Sequence, residues 1–272
     1  MTQADAHARF VALHQEPGAF VLANAWDAAS AVILREAGFA ALGSSSAAIA
    51  HQMGRADVAH AVSREEAITN AVMLGRISGL PVNGDLEDGF GPAPEDCVAT
   101  VEAAIAGGLA GAGIEDTTAN AANPIHDFDT AVARIRAAAR AAKGRIVLTG
   151  RTDNYLHGRP DLDDTVRRLA AFAEAGADVL YAPGLPDMDA ILAVVRAVAP
   201  KPVNVLLGPW GKFGRLEDLA AAGVKRVSLG SALFSNAMGH VAKVAARIAG
   251  GDLAATVEDR SPVGFNTEFA ER

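Results

Sequence analysis

The sequence predicts an α/β fold, a (β/α)8 barrel in which eight parallel strands alternate with helices. Eight short runs rich in Val, Ile and Leu recur along the 272 residues, and Ala-rich segments with helical periodicity separate them. The near-continuous apolar character of the runs is typical of strands that helices cover on both faces. One chain of this length commonly forms a single barrel, so we expect residues 1–272 to be one domain.

Each expected strand is a short apolar run, and each expected helix repeats its apolar residues with a period near 3.6. The expected strands are Phe20–Ala25, Ala40–Ser44, Pro81–Glu87, Ala112–Glu115, Arg145–Gly150, Val179–Ala182, Val203–Leu207 and Arg226–Leu229. The clearest helices are Val98–Gly107, Asp129–Ala142, Asp163–Ala175, Met188–Ala199 and Leu216–Ala222. Gly38, Gly176 and Gly223 follow Ala where glycine is favoured after a helix. Ser63 and Glu66 form a capping box that opens a further helix.

Charge and cysteine content restrict the function classes. A net charge of −8 argues against binding to nucleic acid or to an anionic membrane surface. Cys97 is the only cysteine, so no internal disulfide can form, which fits a reducing compartment. The longest uncharged run, Ala37–Gly54, is interrupted by Gly, Ser, His and Gln and is not a membrane span. We expect a cytoplasmic protein whose partner is a small molecule.

Acidic residues follow two consecutive predicted strands. Asp85 and Glu87 are two positions apart at the end of one strand, so their side chains are expected on one face. Glu115 ends the next strand, and neighbouring strands lie about 4.8 Å apart. Three convergent carboxylates repel one another unless a cation lies among them, and Mg²⁺ suits hard oxygen ligands. The sequence therefore predicts a Mg²⁺ site, with Mn²⁺ as the alternative ion. Solvated loop acids are the structural alternative.

Other polar residues are expected at the same end of the barrel, where active sites of this fold lie. The serine loop, which comprises Ser44, Ser45 and Ser46, can offer N–H groups and hydroxyls to a substrate carboxylate. Arg151 can stabilise developing negative charge, or it can simply pair with a nearby acid. Asn204 lies on the seventh predicted strand and is a further candidate for substrate binding.

Taken together, these motifs resemble the isocitrate lyase/phosphoenolpyruvate mutase superfamily over nearly the whole chain. The stretches that carry the resemblance are Asn24–Gly38, Leu42–Ser46, Asp85–Gly91, Gly113–Asp116 and Gly150–Asp153. The resemblance implies that Mg²⁺ is bound by residues matching Asp85, Glu87 and Glu115, some through water. It also implies 2-oxo acid substrates or their precursors, handled through a pyruvate-type enolate.

The resemblance implies further features. Asp57 matches an active-site aspartate of the family, although a turn or N-cap role is the alternative. The family places an aromatic near the substrate, which makes Trp26 a candidate for substrate binding, with a packing or pocket-wall role as the alternative. The last helix of such barrels is exchanged between subunits, so residues from about 231 to 272 are expected to pack on a neighbour. The expected assembly is a homo-oligomer, either a dimer or a dimer of dimers (a homotetramer).

One segment departs from the family pattern. The C–C lyases carry a Cys-Gly-His motif after the strand that ends in Ile-Glu-Asp, and its cysteine acts as the acid. Here Thr117–His126 contains neither cysteine nor lysine. Retro-aldol cleavage needs a base and an acid, whereas decarboxylation of oxaloacetate needs chiefly a metal that stabilises the enolate.

Three hypotheses follow. The favoured one is a Mg²⁺-dependent carbon–carbon lyase of small 2-oxo or 2-hydroxy dicarboxylates, with an activity like that of oxaloacetate decarboxylase. The second is P–C chemistry, as in phosphoenolpyruvate mutase or phosphonopyruvate hydrolase, with Asp57 activating water or contacting the phosphoryl group. The third is a barrel that binds a 2-oxo acid without turnover.

Overall fold

Eight parallel strands close into a barrel in chain order, β1 to β8, with β8 pairing back to β1. The predicted fold class is confirmed. The structure, a computed structural model, describes residues 1–207, 214–258 and 260–270. The strands are β1 (Phe20–Asn24), β2 (Leu42–Gly43), β3 (Val82–Asp85), β4 (Gly111–Glu115), β5 (Val147–Arg151), β6 (Val179–Tyr181), β7 (Val203–Leu206) and β8 (Arg226–Ser228).

Except for α1, which precedes β1, the helices follow strands, and they form the layer around the barrel. Those up to β5 are α1 (Gln3–Gln15), α2 (Ala28–Glu36), α3 (Ser46–Gln52), α4 (Arg64–Ser78), α5 (Pro94–Ala106) and α6 (Phe128–Ala142). Those after β5 are α7 (Leu162–Ala175), α8 (Met188–Val198), α9 (Leu216–Ala221), α10 (Ala232–Ala249), a short 3-10 helix (Leu253–Thr256) and α11 (Phe265–Ala270). The capping box predicted at Ser63 and Glu66 is present at the start of α4.

The third strand ends earlier than predicted. β3 stops at Asp85, and Glu87 lies beyond it with a φ of 46°. A left-handed residue turns its side chain out of the strand alternation, so the expectation that Asp85 and Glu87 share a strand face is wrong. The second strand is also shorter, because only Leu42 and Gly43 pair with both neighbours.

The interior of the barrel is closed at its N-terminal end. Phe10 of α1 is completely buried there against Leu22, Ala41, Val147 and Val179. A second, larger apolar cluster fills the layer between the strands and the outer helices. Apolar side chains thus plug the interior at its N-terminal end, and a ligand can enter from the opposite end, where the strands finish.

The C-terminal helix α10 differs from the other long helices, because none of its residues is buried within this chain. Met238 and Val241 are 43% and 56% exposed. The exchange of this region between subunits and the oligomeric state remain predictions. Within the residues that the structure describes, no helix is both long and apolar enough to cross a membrane.

Candidate functional site

A cavity of about 200 Å³ opens at the C-terminal end of the barrel. It is lined by inward-facing strand residues and by the loops that follow the strands. Among the residues predicted for the site, Ser44, Ser45, Ser46, Asp57, Asp85, Arg151 and Asn204 line it. The predicted residues that do not line it are Trp26, Glu87 and Glu115.

Arg151 is the electrostatic centre of the site. Its Nε and Nη2 each donate to the Asp153 carboxylate at 2.6 Å. Its Nη1 lies 3.0 Å from Glu115 Oε2 and 3.3 Å from Asp85 Oδ1. Although burial opposes the charge, Asp153 and Glu115 raise the pKa of the Arg151 guanidinium well above its ordinary value. Three carboxylates thus surround one cation, and the guanidinium also stacks over Tyr181 at 5.3 Å.

Asp85 is held by the serine loop. The backbone N–H and the hydroxyl of Ser46 both donate to Asp85 Oδ2 at 2.9 Å. The Asp85 N–H in turn donates to Ser44 Oγ at 2.8 Å. The loop therefore orients a carboxylate of the protein, a role that the sequence interpretation did not assign to it. Register explains the contact, because β2 and β3 are paired neighbours.

Glu87 and Glu115 carry the perturbed carboxyl groups of the predicted metal set. Burial raises the pKa of Glu87 to about 7, although its carboxylate accepts the His60 N–H at 2.8 Å. Burial also raises the pKa of Glu115 well above its usual range, against the effect of Arg151. Thr117 Oγ1 donates to Glu115 at 2.6 Å. A nearby cation would stabilise the ionised form of both carboxyl groups.

The acidic side chains fit a Mg²⁺ ion that keeps several of its waters, rather than one that is enclosed by protein ligands. Among the described residues, no three acidic, histidine or cysteine side chains converge as a set of direct metal ligands. Mg²⁺ usually keeps several waters and is bound through one or two carboxylates. Asp85 lines the cavity, with Glu115 joined to it through Arg151. A hard, hydrated cation suits these oxygens and would offset the excess of negative charge around one arginine.

The remaining predicted residues differ in position. Asp57 lines the cavity, and burial together with the Asp85 charge raises its pKa. The helices on either side begin at Ser46 and Arg64, so Asp57 does not cap a helix. Trp26 packs edge-on against Phe234 at 5.5 Å, outside the cavity.

A buried network below the mouth fixes the position of Asp153. Asp116 is 1% exposed and accepts bonds from the Asp153 N–H at 3.0 Å and from Thr152 Oγ1 at 2.7 Å. Arg168 Nη1 lies 3.2 Å from Asp116 and also donates to the His126 carbonyl. The network joins the end of β5, and therefore Arg151, to the segment after β4.

That segment, Thr117–His126, folds back on itself. Thr117 and Ile125 form an isolated antiparallel bridge, and Thr118 Oγ1 donates to the Asn123 carbonyl at 2.6 Å. None of the ten residues, all of which the structure describes, lines the cavity. The loop therefore places no acidic group beside the predicted substrate position.

Tyr181 and Arg226 are among the cavity-lining residues that sequence reasoning missed. Burial raises the pKa of Tyr181 to about 12, so the hydroxyl is protonated at neutral pH. Tyr181 pairs with Arg151 across neighbouring strands, and Arg226 pairs with Asn204. The alternation of side chains along β6 and β8 was therefore the sequence signal that could have indicated that both residues face the cavity. An apolar strand with one arginine at its start is a visible exception in the sequence.

Comparison with known proteins finds related chains over most of the length. The family model for phosphoenolpyruvate phosphomutase matches residues 10–249. The crystal structure of a Burkholderia cenocepacia J2315 protein described as a "putative lyase/mutase" is 44% identical, with a TM-score of 0.93, and covers 98% of this chain and 96% of that one. An uncharacterised Mycobacterium tuberculosis protein is 32% identical over 88% of each chain. An oxaloacetate decarboxylase of Chromohalobacter salexigens is 29% identical over 86% of this chain and 82% of its own.

Proposed function

This chain belongs to the phosphoenolpyruvate phosphomutase family, and from that premise we propose that it is a lyase of small 2-oxo or 2-hydroxy dicarboxylates. The reaction would break a carbon–carbon bond and leave a pyruvate-type enolate. Decarboxylation of oxaloacetate is the favoured form. The observation that carries the proposal is Arg151, a partly buried guanidinium that lines the cavity and is held by three carboxylates.

Asp85, Glu87 and Glu115 would hold Mg²⁺, with Mn²⁺ as the alternative. When bound, the cation supplies Lewis-acid stabilisation of negative charge on the substrate oxygen. The serine loop would receive the carboxylate that remains in the product, and Asn204 would line the same pocket. Trp26 lies outside the cavity, so it would act on the pocket only through its packing against Phe234.

Arg151 would stabilise the enolate oxygen through hydrogen bonds. Its contacts with Asp153, Glu115 and Asp85 fix its plane before a substrate arrives. A preorganised donor stabilises developing charge without reorganising during the reaction, which is the largest effect in many enzymes.

The loop after β4 favours decarboxylation over retro-aldol cleavage. Retro-aldol cleavage needs an acid for the nascent enolate, and this loop places none of its side chains in the cavity. Decarboxylation does not need a proton in the step that breaks the bond. The similarity to an oxaloacetate decarboxylase supports the same choice.

A second candidate is P–C bond chemistry, as in phosphoenolpyruvate mutase or phosphonopyruvate hydrolase. The position of Asp57 favours it, because this exposed carboxyl lines the cavity and has a raised pKa. Such a group could activate water or contact a phosphoryl group.

An assay panel tests the proposal. The protein with Mg²⁺ is given oxaloacetate, 2-methylisocitrate, 2,3-dimethylmalate and phosphonopyruvate, and pyruvate, phosphate and phosphoenolpyruvate are measured. Pyruvate without phosphate supports the lyase, and phosphate or phosphoenolpyruvate supports the second candidate. Binding of 2-oxo acids without any product would identify a binding barrel instead.

The metal assignment has its own test. We expect Asp85→Ala to lower Mg²⁺-dependent kcat/KM by at least about 100-fold, because a ligand and the Arg151 contact are both lost. Asp129→Asn is the matched control, since Asp129 is an exposed acid at the start of α6. Full activity of Asp85→Ala would exclude Asp85 as a metal ligand.

A further inference from the structure

Arg226 is a buried guanidinium that has no acidic partner among the described residues. It begins β8, is 2% exposed and lines the cavity. Its Nε donates to Asn204 Oδ1 and its Nη2 to Thr149 Oγ1, both at 2.9 Å. Its Nη1 is buried and has no hydrogen-bond partner in the part of the chain that the structure describes. No carboxylate in that same part forms an ion pair with it.

A lone buried charge is costly, because water no longer solvates it. Two other arginines near the site have acidic partners: the partly buried Arg151 faces three carboxylates, and the buried Arg168 faces Asp116 and Asp164. Burial lowers the pKa of Arg226 to about 10, so the group remains a cation at neutral pH. Its charge is therefore available to an anion.

The cavity connects this charge to the predicted reaction centre. Its lining runs from Ser46 and Asp85 to Thr149, Asn204 and Arg226 within the barrel. Gly113 contributes space, since a Cβ placed there would find no atom of another residue closer than 3.6 Å. Among the residues that the structure describes, the lining is neutral or acidic except for Arg151, whose charge is already compensated, and Arg226.

We propose that Arg226 is the cationic partner of the substrate carboxylate that is retained in the 2-oxo acid product. This inference rests on the proposed function and adds the residue that selects an ionised carboxylate, a role that neutral serines cannot perform alone. Arg226 holds the retained carboxylate rather than the scissile one, because a guanidinium that stabilised the scissile carboxylate in the ground state would oppose its loss as CO₂. The scissile group then lies towards the mouth, near Asp57 and Asp85.

Binding measurements test this inference without turnover. Calorimetry with Mg²⁺ present compares pyruvate with pyruvamide, its neutral amide, for the wild type and for Arg226→Met. We expect Arg226→Met to weaken pyruvate binding about 10- to 100-fold, the usual range for a charge-assisted hydrogen bond. Pyruvamide binding should change less than about threefold, because the amide has no charge to lose.

Two further variants keep the test decisive if the methionine variant fails to fold. Arg226→Gln retains hydrogen bonding to Asn204 and Thr149 but removes the charge, so it should show the same loss for pyruvate. Arg226→Lys restores the charge and should recover part of the preference for pyruvate. Arg134→Gln is the matched control, since Arg134 is 1% exposed but binds the Gly91 carbonyl outside the cavity.

The outcomes are separable. An equal loss for both ligands, or no loss for either, overturns the assignment of Arg226 and leaves the proposed function standing. A wild-type protein that binds neither ligand and does not turn over oxaloacetate overturns the proposed function itself. A selective loss for pyruvate in the Met or Gln variant, with recovery in the Lys variant, supports the assignment.

Discussion

The raised pKa of Glu87 predicts that the metal-free protein becomes less stable as the pH rises towards neutrality. The native state keeps a proton on this carboxyl until the pH approaches about 7, because burial disfavours the charged form. The unfolded chain releases the same proton near the ordinary value of 4.5. Between these values the native state binds more protons than the unfolded state, so the free energy of unfolding falls with increasing pH.

The magnitude follows from the two pKa values. Each pH unit between them costs about 1.4 kcal/mol, so the full contribution is roughly 3 kcal/mol. It is complete below the unfolded value and is lost by about pH 7. Glu87→Gln carries no titrating proton at this position, and its free energy of unfolding should lack this component of the pH slope.

Urea denaturation of chelator-treated protein, at several pH values between about 4 and about 8, measures the slope. Glu65→Gln is the control for loss of one carboxylate, because Glu65 is exposed on α4. A Glu87→Gln slope identical to that of the wild type would refute the argument. Added Mg²⁺ should restore stability to the wild type above pH 7, since the cation stabilises the ionised carboxylate.

Two further predictions concern packing. Asp116→Asn should lower the free energy of unfolding by roughly 2–4 kcal/mol, because it removes the buried negative charge that pairs with Arg168. The kcat of this variant should also fall. An unchanged kcat would show that the network does not position Arg151. Gly113→Ala should fold normally but raise the KM for oxaloacetate. Gly111→Ala should instead lower the melting temperature, since the Cβ of the new alanine would lie 2.4 Å from Asn83 Oδ1. Equal melting temperatures for the two variants would contradict the packing argument.

Much of the architecture was predictable because its signals are local. Apolar runs and helical periodicity predicted all eight strands, and the capping box at Ser63 predicted the start of α4. The position of Asp85 and Arg151 at strand ends followed from the same pattern. The errors were local too, since the left-handed conformation of Glu87 ended the strand alternation that the sequence suggested.

The sequence by itself determined the barrel and several of the polar residues at its open end, because both depend on spacing along the chain. Only the tertiary structure decided how charge is distributed inside it. Barrel closure gives Arg151 three carboxylates and, within the part of the chain that the structure describes, leaves Arg226 with none. That difference depends on side chains from strands far apart in sequence meeting within a few ångströms, and no local pattern encodes such a meeting.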